Sequence, residues 1–117
     1  KIINIASIAG FKGNRANSGI HTVAYNTSKA AAINLTRALA GEWGQYNINV
    51  NAICPGYFPT KLAKGLEKVT ELIKQGTPLG RIGGEEDIKG AAVFLASEAS
   101  RHVSGQALAV DGGNSAV

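Results

Sequence analysis

The sequence predicts an α/β fold built on a parallel sheet. Three apolar runs, at 1–6, 48–54 and 107–110, have the length and composition of buried strands. Two segments with apolar residues at helical spacing, 24–46 and 85–97, separate these runs along the chain. Strands that alternate with helices usually form a parallel sheet whose connections are the helices.

The first strand is predicted from Lys1 to Ala6, where polar alternation is almost absent. Such a strand is normally covered on both faces and paired on both edges. A sheet of only three strands that left this isoleucine-rich strand at an open edge would be prone to aggregate. We therefore expect residues 1–117 to form the carboxyl-terminal half of one larger α/β domain.

Glycine, asparagine and serine recur between residues 8 and 23, which predicts a loop. From about Ala24 to Tyr46 the pattern becomes helical. Its apolar stripe consists of residues spaced four apart: Ala31, Leu35, Leu39 and Trp43. Many alanines in this helix would permit close packing against a neighbour, so we expect helix-on-helix association into a homodimer or homotetramer.

The second strand, Ile48 to Cys54, is closed by Pro55-Gly56. A helix is then expected to begin near Thr60 and to end before Gly76-Thr-Pro78. One face of this helix carries its large apolar residues, which are Leu62, Leu66, Val69 and Ile73.

A third helix is predicted from Glu85 to Ser97, with acidic residues in its first turn, where the helix dipole favours them. The last strand runs from Ala107 to Val110. Asp111-Gly-Gly113 is expected to form a turn that fixes the end of the chain.

Composition excludes several classes of protein. The net charge is +4, but the lysines and arginines are scattered, whereas nucleic-acid-binding proteins concentrate them in one footprint. No apolar run is long enough to cross a bilayer. Cys54 is the single cysteine and is expected to be a small buried residue, so an intrachain disulfide is impossible. We expect a cytoplasmic protein with no metal, membrane or nucleic-acid partner.

The segment Tyr25-Asn-Thr-Ser-Lys29 carries the clearest chemical signal. Residues four apart lie on one face of a helix, so the phenol and the ammonium group can approach each other. A nearby cation favours the phenolate form of a phenol and brings proton transfer into working range. The hydroxyl of Ser7, at the end of the first strand, could hold and polarise a substrate carbonyl oxygen. These three residues are candidates for a carbonyl/alcohol proton-transfer site, although an i, i+4 pair can also be a structural surface pair and a serine can simply cap a turn.

With these residues in place, the chain resembles the short-chain dehydrogenase/reductase family. Nearly the whole chain carries the resemblance, through an ordered series of motifs: Asn4-Ile-Ala-Ser7, Tyr25-Asn-Thr-Ser-Lys29, Ile48-Asn-Val-Asn-Ala-Ile-Cys-Pro-Gly56, Pro78-Leu-Gly-Arg81, Phe94-Leu-Ala-Ser97, Ser104-Gly105 and Val110-Asp-Gly-Gly113. Residues 40–60 look most like members that act on sugar acids, such as gluconate 5-dehydrogenase.

The resemblance implies a Rossmann-type doubly wound sheet and hydride transfer between NAD or NADP and a small secondary alcohol or ketone. Tyr25 would be the general acid–base, and Lys29 would support it and bind the nicotinamide ribose. Ser7 would bind the substrate oxygen. The nicotinamide end of the cofactor would be lined by four further residues: Pro55, Gly56, Phe58 and Thr60. The helix after Thr60 would form a lid over the substrate.

Two departures from the family pattern stand out. The glycine-rich dinucleotide loop is not in this sequence, so the cradle for the cofactor pyrophosphate is missing. The segment between Ser7 and Tyr25 is about five residues longer than is usual for the family, with the extra length expected within 14–22, where it would border the substrate cleft.

Two side chains in this longer segment could meet substrate. Arg15 is a candidate contact for an acidic substrate, because a guanidinium binds a carboxylate bidentately, with a solvated loop position as the alternative that the sequence favours. His21 is a second candidate donor, with an ordinary loop position as its alternative. A non-catalytic module that keeps the fold and binds nucleotide as a ligand or redox sensor is the alternative function.

Overall fold

The computed structural model describes residues 1–59 and 67–117. Within these two ranges the main elements are three strands and three α-helices. In chain order they are β1 (Ile2–Ile5), α1 (Val23–Trp43), β2 (Val50–Pro55), α2 (Glu67–Gln75), α3 (Glu85–Ala96) and β3 (Ala107–Val110). Short 3-10 turns at Ile8–Gly10 and Ala16–Ser18 lie within the predicted loop, so this segment has local structure that the sequence pattern did not indicate.

The strands form one parallel sheet in the order β1-β2-β3. Ile5 on β1 aligns with Ile53 on β2, and Cys54 on β2 aligns with Ala109 on β3. In the described part of the chain β1 pairs only with β2, and the Ile5 side chain is 58% exposed. The prediction of a three-stranded parallel sheet with crossover helices, half of a Rossmann-type arrangement, is confirmed.

Helices cover both faces of the central strand. Ala52 and Cys54 of β2 pack with Ile33 of α1 in the main core cluster. Ile53 points to the opposite face because side chains alternate along a strand, and it is also fully buried. Helix α3, which contacts all three strands, supplies the cover there. Complete burial on both faces explains why every residue of 50–54 except Asn51 is apolar.

The predicted apolar stripe of α1 is not buried as a whole, because Leu39 and Trp43 are half-buried whereas Ala31 and Leu35 are exposed. The buried residues of the helix are Ile33 and Thr36, whereas the Leu35 side chain is 52% exposed. Thr36 is a buried hydroxyl that donates to the Ala32 carbonyl and accepts from Asn4 Nδ2, so its polar groups are satisfied. The helix thus presents a second apolar surface outward.

Asn49 and Asn51, just before and within β2, bond to the segment that leads into β3. Asn51 is buried, donates to the Val103 carbonyl at 2.9 Å and accepts from the Gln106 N–H at 3.0 Å. Asn49 donates to the carbonyls of Arg101 and Val103. These bonds pair backbone groups that a loop would otherwise leave unsatisfied. Motif residues quoted for the family resemblance therefore have a structural role here.

Predicted boundaries agree closely with the observed ones. The strand Ala107–Val110 is reproduced, and α3 ends one residue before the predicted Ser97. The helix expected from Ala24 to Tyr46 ends at Trp43 and continues as a 3-10 turn over Gly44–Tyr46. The predicted start of a helix at Thr60, with Leu62 and Leu66, lies outside the described residues. No helix in the described ranges is long and apolar enough to cross a bilayer.

Candidate active site

The candidate residues meet at the carboxyl edge of the sheet, where ligand sites of open α/β sheets form. Ser7 follows the end of β1 and is nearly buried, with 9% of its surface exposed. Its Oγ accepts a hydrogen bond from the Ala9 N–H at 3.1 Å and so caps the 3-10 turn that follows. Because the oxygen is held as an acceptor, the hydroxyl proton stays available to donate to a substrate oxygen.

Gly10 sets the distance between Ser7 and helix α1. A Cβ atom on Gly10 would lie 2.7 Å from Ile33 Cδ1 and 2.8 Å from the Ala30 nitrogen and the Lys29 carbonyl carbon. The turn after Ser7 therefore packs backbone to backbone against the helical turn that carries Lys29. Only glycine allows this approach without displacing one of the two segments.

Tyr25 and Lys29 lie one turn apart at the start of α1, as their spacing predicted. Lys29 Nζ lies 5.6 Å from the centroid of the Tyr25 ring, within cation–π range. The same ammonium donates to the Ile5 carbonyl oxygen at 3.1 Å. The cation is thus anchored to the end of β1 and held beside the phenol. The Ser28 hydroxyl donates to the Tyr25 carbonyl oxygen at 2.8 Å and so bonds to the backbone of its own helix.

Ser7 and Tyr25 line the same cavity, which has a volume of about 240 Å³. Gly56 and Tyr57, after β2, form another part of its wall. Asn14, Ile20 and Thr22 of the long loop complete the enclosure, so the loop borders the cleft as expected. Lys29 is not among the lining residues, and its link to the cavity is its contact with the Tyr25 ring.

A chain of hydrogen bonds holds this loop against the start of α1. Asn14 Nδ2 donates to Thr22 Oγ1 at 2.8 Å, and the Thr22 hydroxyl donates to Asn26 Oδ1 at 2.7 Å. Asn26 Nδ2 then donates to the Lys12 carbonyl at 2.6 Å. Asn26 directly follows Tyr25, so the loop and the phenol are fixed to the same helical turn. Sequence reasoning did not assign Asn26, Lys12 or Tyr57 to the site.

The residues predicted to line the nicotinamide end of the cofactor do not all line one cavity in the structure. Pro55 ends β2, and Gly56 reaches the cavity of Ser7 and Tyr25. A Cβ on Gly56 would lie 2.6 Å from Asp111 Cβ, so this turn is packed tightly against the end of β3. The ring of Phe58 instead packs on Gly83 and lines a second cavity of about 470 Å³. Thr60 lies outside the described residues.

Two carboxylates, Asp111 and Asp87, stabilise the turn after β3 and the start of α3. Partial burial would raise the pKa of Asp111, but hydrogen bonds from Ser115 and from the Gly113 N–H outweigh it and hold the pKa below its ordinary value. Hydrogen bonds from the Arg81 guanidinium, at 2.7 and 2.9 Å, and from the Gly84 N–H lower the pKa of Asp87 strongly. Asp111 thereby fixes the carboxyl-terminal turn, and Asp87 fixes the start of α3.

Cys54 is fully buried directly below the site, in agreement with the sequence interpretation. Burial raises the pKa of its thiol, opposed by a hydrogen bond from the Ser7 backbone N–H and by the charges of Arg37 and Lys29. A protonated thiol is a poor nucleophile. Cys54 therefore supports the position of Ser7 by packing.

The arrangement combines an available hydroxyl donor, a phenol and a fixed cation around one cavity. A donor such as the Ser7 hydroxyl can hold a carbonyl oxygen while a phenol transfers a proton to it. The sheet and its carboxyl-edge site define a Rossmann-type α/β protein with a serine–tyrosine–lysine constellation.

The chain belongs to the short-chain dehydrogenase/reductase family. A family model described as Enoyl-(Acyl carrier protein) reductase matches residues 1–115. The chain is 50% identical over 116 residues to a 2-dehydro-3-deoxy-D-gluconate 5-dehydrogenase of Bacillus subtilis, a match that covers 97% of this chain and 44% of the relative. It is 42% identical over 113 residues to a 3-oxoacyl-[acyl-carrier-protein] reductase of Chlamydia muridarum, covering 96% and 44%.

A solved structure gives the same result. The chain superimposes with a TM-score of 0.89 and 36% identity on a gluconate 5-dehydrogenase of Burkholderia cenocepacia in complex with NADP and tartrate. That superposition covers 99% of this chain and 45% of the solved chain. The chain thus spans less than half the length of the relatives it matches.

Proposed function

We propose that the full-length protein is an oxidoreductase that transfers a hydride between NAD or NADP and a secondary alcohol or ketone. Residues 1–117 would be its catalytic portion, and the dinucleotide-binding half would lie in the remaining sequence. The observation that carries this proposal is the shared cavity of Ser7 and Tyr25, with Lys29 held beside the phenol.

Each of the three residues has a defined task in this proposal. The Ser7 hydroxyl, whose oxygen already accepts from the Ala9 N–H, donates to the substrate oxygen. Tyr25 gives a proton to that oxygen in reduction and takes it back in oxidation. Lys29, positioned by the Ile5 carbonyl, holds a positive charge beside the phenol, where it stabilises negative charge that develops on the reacting oxygen.

The residues present fit only the nicotinamide end of the cofactor. Gly56 lines the cavity with its backbone, which a nicotinamide ring could approach, and its missing side chain allows the turn to pack against Asp111. When bound, the nicotinamide supplies or accepts the hydride. Pro55, Phe58 and Thr60 remain proposed members of this end of the site.

The proposed substrate is a small sugar acid such as gluconate. Relatives named for gluconate derivatives support this choice, as does the tartrate bound to the Burkholderia enzyme. The reductase of Chlamydia muridarum makes acyl thioesters the competing class.

The proposed assembly of the full-length protein is a homodimer or homotetramer, and its proposed location is the cytoplasm. The outward apolar surface of α1, with Leu35 52% exposed, supports association through this helix. An assembly larger than the monomer is expected by light scattering of the full-length protein.

The test is an assay of the purified full-length protein with NADH, NADPH and their oxidised forms. The substrates are sugar acids, neutral polyols, simple ketones and a 3-oxoacyl thioester. We expect turnover of at least one sugar acid in preference to its neutral polyol. Nucleotide binding with no turnover of any substrate would favour the non-catalytic alternative, and preference for the thioester would overturn the substrate choice.

A further inference from the structure

The cavity that holds Ser7 and Tyr25 adjoins a further cavity, of about 260 Å³, within the long loop. Four residues line both of these cavities, which together are called the groove: Asn14, Ile20, Thr22 and Asn26. Ser7 and Tyr25 line only the first cavity, and Arg15 and His21 line only the other. A substrate whose carbonyl meets Ser7 could therefore extend toward Arg15.

The polar side chains that line both cavities form hydrogen bonds with one another and with the backbone. Thr22 accepts from Asn14 and donates to Asn26, and Asn26 donates to the Lys12 carbonyl. These bonds hold the shape of the wall and use the Thr22 hydroxyl proton and one amide proton each of Asn14 and Asn26. They form the frame of the groove.

The Arg15 guanidinium has no such engagement. Among the described residues it makes no hydrogen bond and no ion pair, whereas Lys12 Nζ is turned to the carboxyl-terminal segment, where it donates to the carbonyl and the Oδ1 of Asn114. His21 likewise has no side-chain partner in the described ranges and lines the same cavity as Arg15. Two donors thus remain available there.

The groove is also free of negative charge. No aspartate or glutamate is among the described residues that line either cavity. The sequence itself has no acidic residue before Glu42, although this stretch contains Lys12, Arg15 and Lys29. A basic groove with no internal counter-charge attracts an anionic ligand.

We propose that Arg15 binds the carboxylate of the substrate, with His21 as a second donor, and so makes the enzyme specific for acids. A guanidinium matches a carboxylate with two parallel hydrogen bonds, which gives orientation as well as affinity. The acid group at Arg15 and the reacting carbonyl at Ser7 and Tyr25 then mark the two ends of the bound substrate. This inference rests on the proposed function and identifies the residue that selects the substrate class.

The test compares full-length wild type with Arg15→Gln. Its probes are the sugar acid that the wild type turns over fastest, the neutral primary amide of that acid, and tartrate as a competitive inhibitor. Loss of a charge-assisted pair should raise the KM for the acid and the inhibition constant of tartrate at least about tenfold. The KM for the amide and the kcat for the acid should change by no more than about threefold, since Arg15 does not reach the reacting atoms.

Two further variants serve as controls. Arg101→Gln removes the same charge from the segment before β3, at the opposite end of the sheet, and should behave as wild type. Arg15→Lys keeps the charge but loses the bidentate geometry and should give an intermediate KM. Equal effects of Arg15→Gln on acid and amide, or none on either, would overturn the assignment of Arg15. A wild type inactive with every acid would instead reject the proposed function.

Discussion

Lys29 Nζ donates to the Ile5 carbonyl at 3.1 Å while it lies 5.6 Å from the centre of the Tyr25 ring. The final residue of β1 therefore positions the cation of the candidate site. N–H and C=O groups alternate between the two edges of a strand, and Ala6 N–H is bonded to the Ile53 carbonyl of β2. The Ile5 carbonyl consequently points away from β2, toward the side of the sheet on which Lys29 reaches it.

Replacing Lys29 by methionine should separate the role of its charge from that of its side-chain stem. We expect Lys29→Met to lower kcat by at least about a hundredfold, because the charge that develops during proton transfer loses its fixed cation. The melting temperature should change little, since the lost bond is at an exposed strand edge. Arg37→Met is the matched control, because it removes another cation from the same helix, eight residues after Lys29. Near-wild-type turnover of Lys29→Met would refute the role of Lys29.

Gly10→Ala tests the close contact that places Ser7. The added methyl would overlap Ile33 and the backbone of Lys29 and Ala30, so the turn must move away from α1. We expect a loss of about 1–3 kcal/mol in the free energy of unfolding and a lower kcat. Gly13→Ala adds the same methyl where nothing lies within 4 Å and should be near neutral. Equal stability of the two variants by urea unfolding would contradict this packing.

The ion pair of Arg81 and Asp87 predicts an acid-side loss of stability. The folded protein holds the pKa of Asp87 below its unfolded value of about 4, so the pair stabilises the fold fully above that pH. Its contribution is lost as the pH falls further toward the folded pKa. Asp87→Asn should therefore show a smaller decrease in unfolding free energy between pH 5 and pH 3 than wild type does.

A second variant controls for the general effect of acid on the stability of the fold between pH 5 and pH 3. Glu42→Gln removes an exposed carboxylate that has no ion pair among the described residues, and it should follow the wild-type pH dependence. If Asp87→Asn also followed the wild-type curve, the pair would not contribute to the folded state.

The sequence was sufficient for the elements whose pattern reflects local physics. The strand at 107–110, the helix from Glu85 and the i, i+4 contact of Tyr25 with Lys29 follow from apolar runs, helix-start signals and helical spacing. Glycines and asparagines in 8–23 also indicated irregular structure at the right place.

Features that depend on contacts distant in sequence could not be predicted in the same way. The core face of α1 consists of Ile33 and the polar Thr36, because Asn4 of β1 satisfies the threonine hydroxyl. Hydropathy gave more weight to Leu35, which faces outward. The roles of Asn26 and Gly10 likewise depend on which loop atoms lie opposite them, and composition carries no such information.

The most direct test of the account is Tyr25→Phe in the full-length protein. The substitution keeps the ring and its contact with Lys29 and removes only the hydroxyl. Steady-state NAD(P)H oxidation should fall by at least about a thousandfold, while nucleotide affinity measured by fluorescence titration stays within a few-fold of wild type. Substantial remaining turnover at unchanged nucleotide affinity would contradict proton transfer by Tyr25.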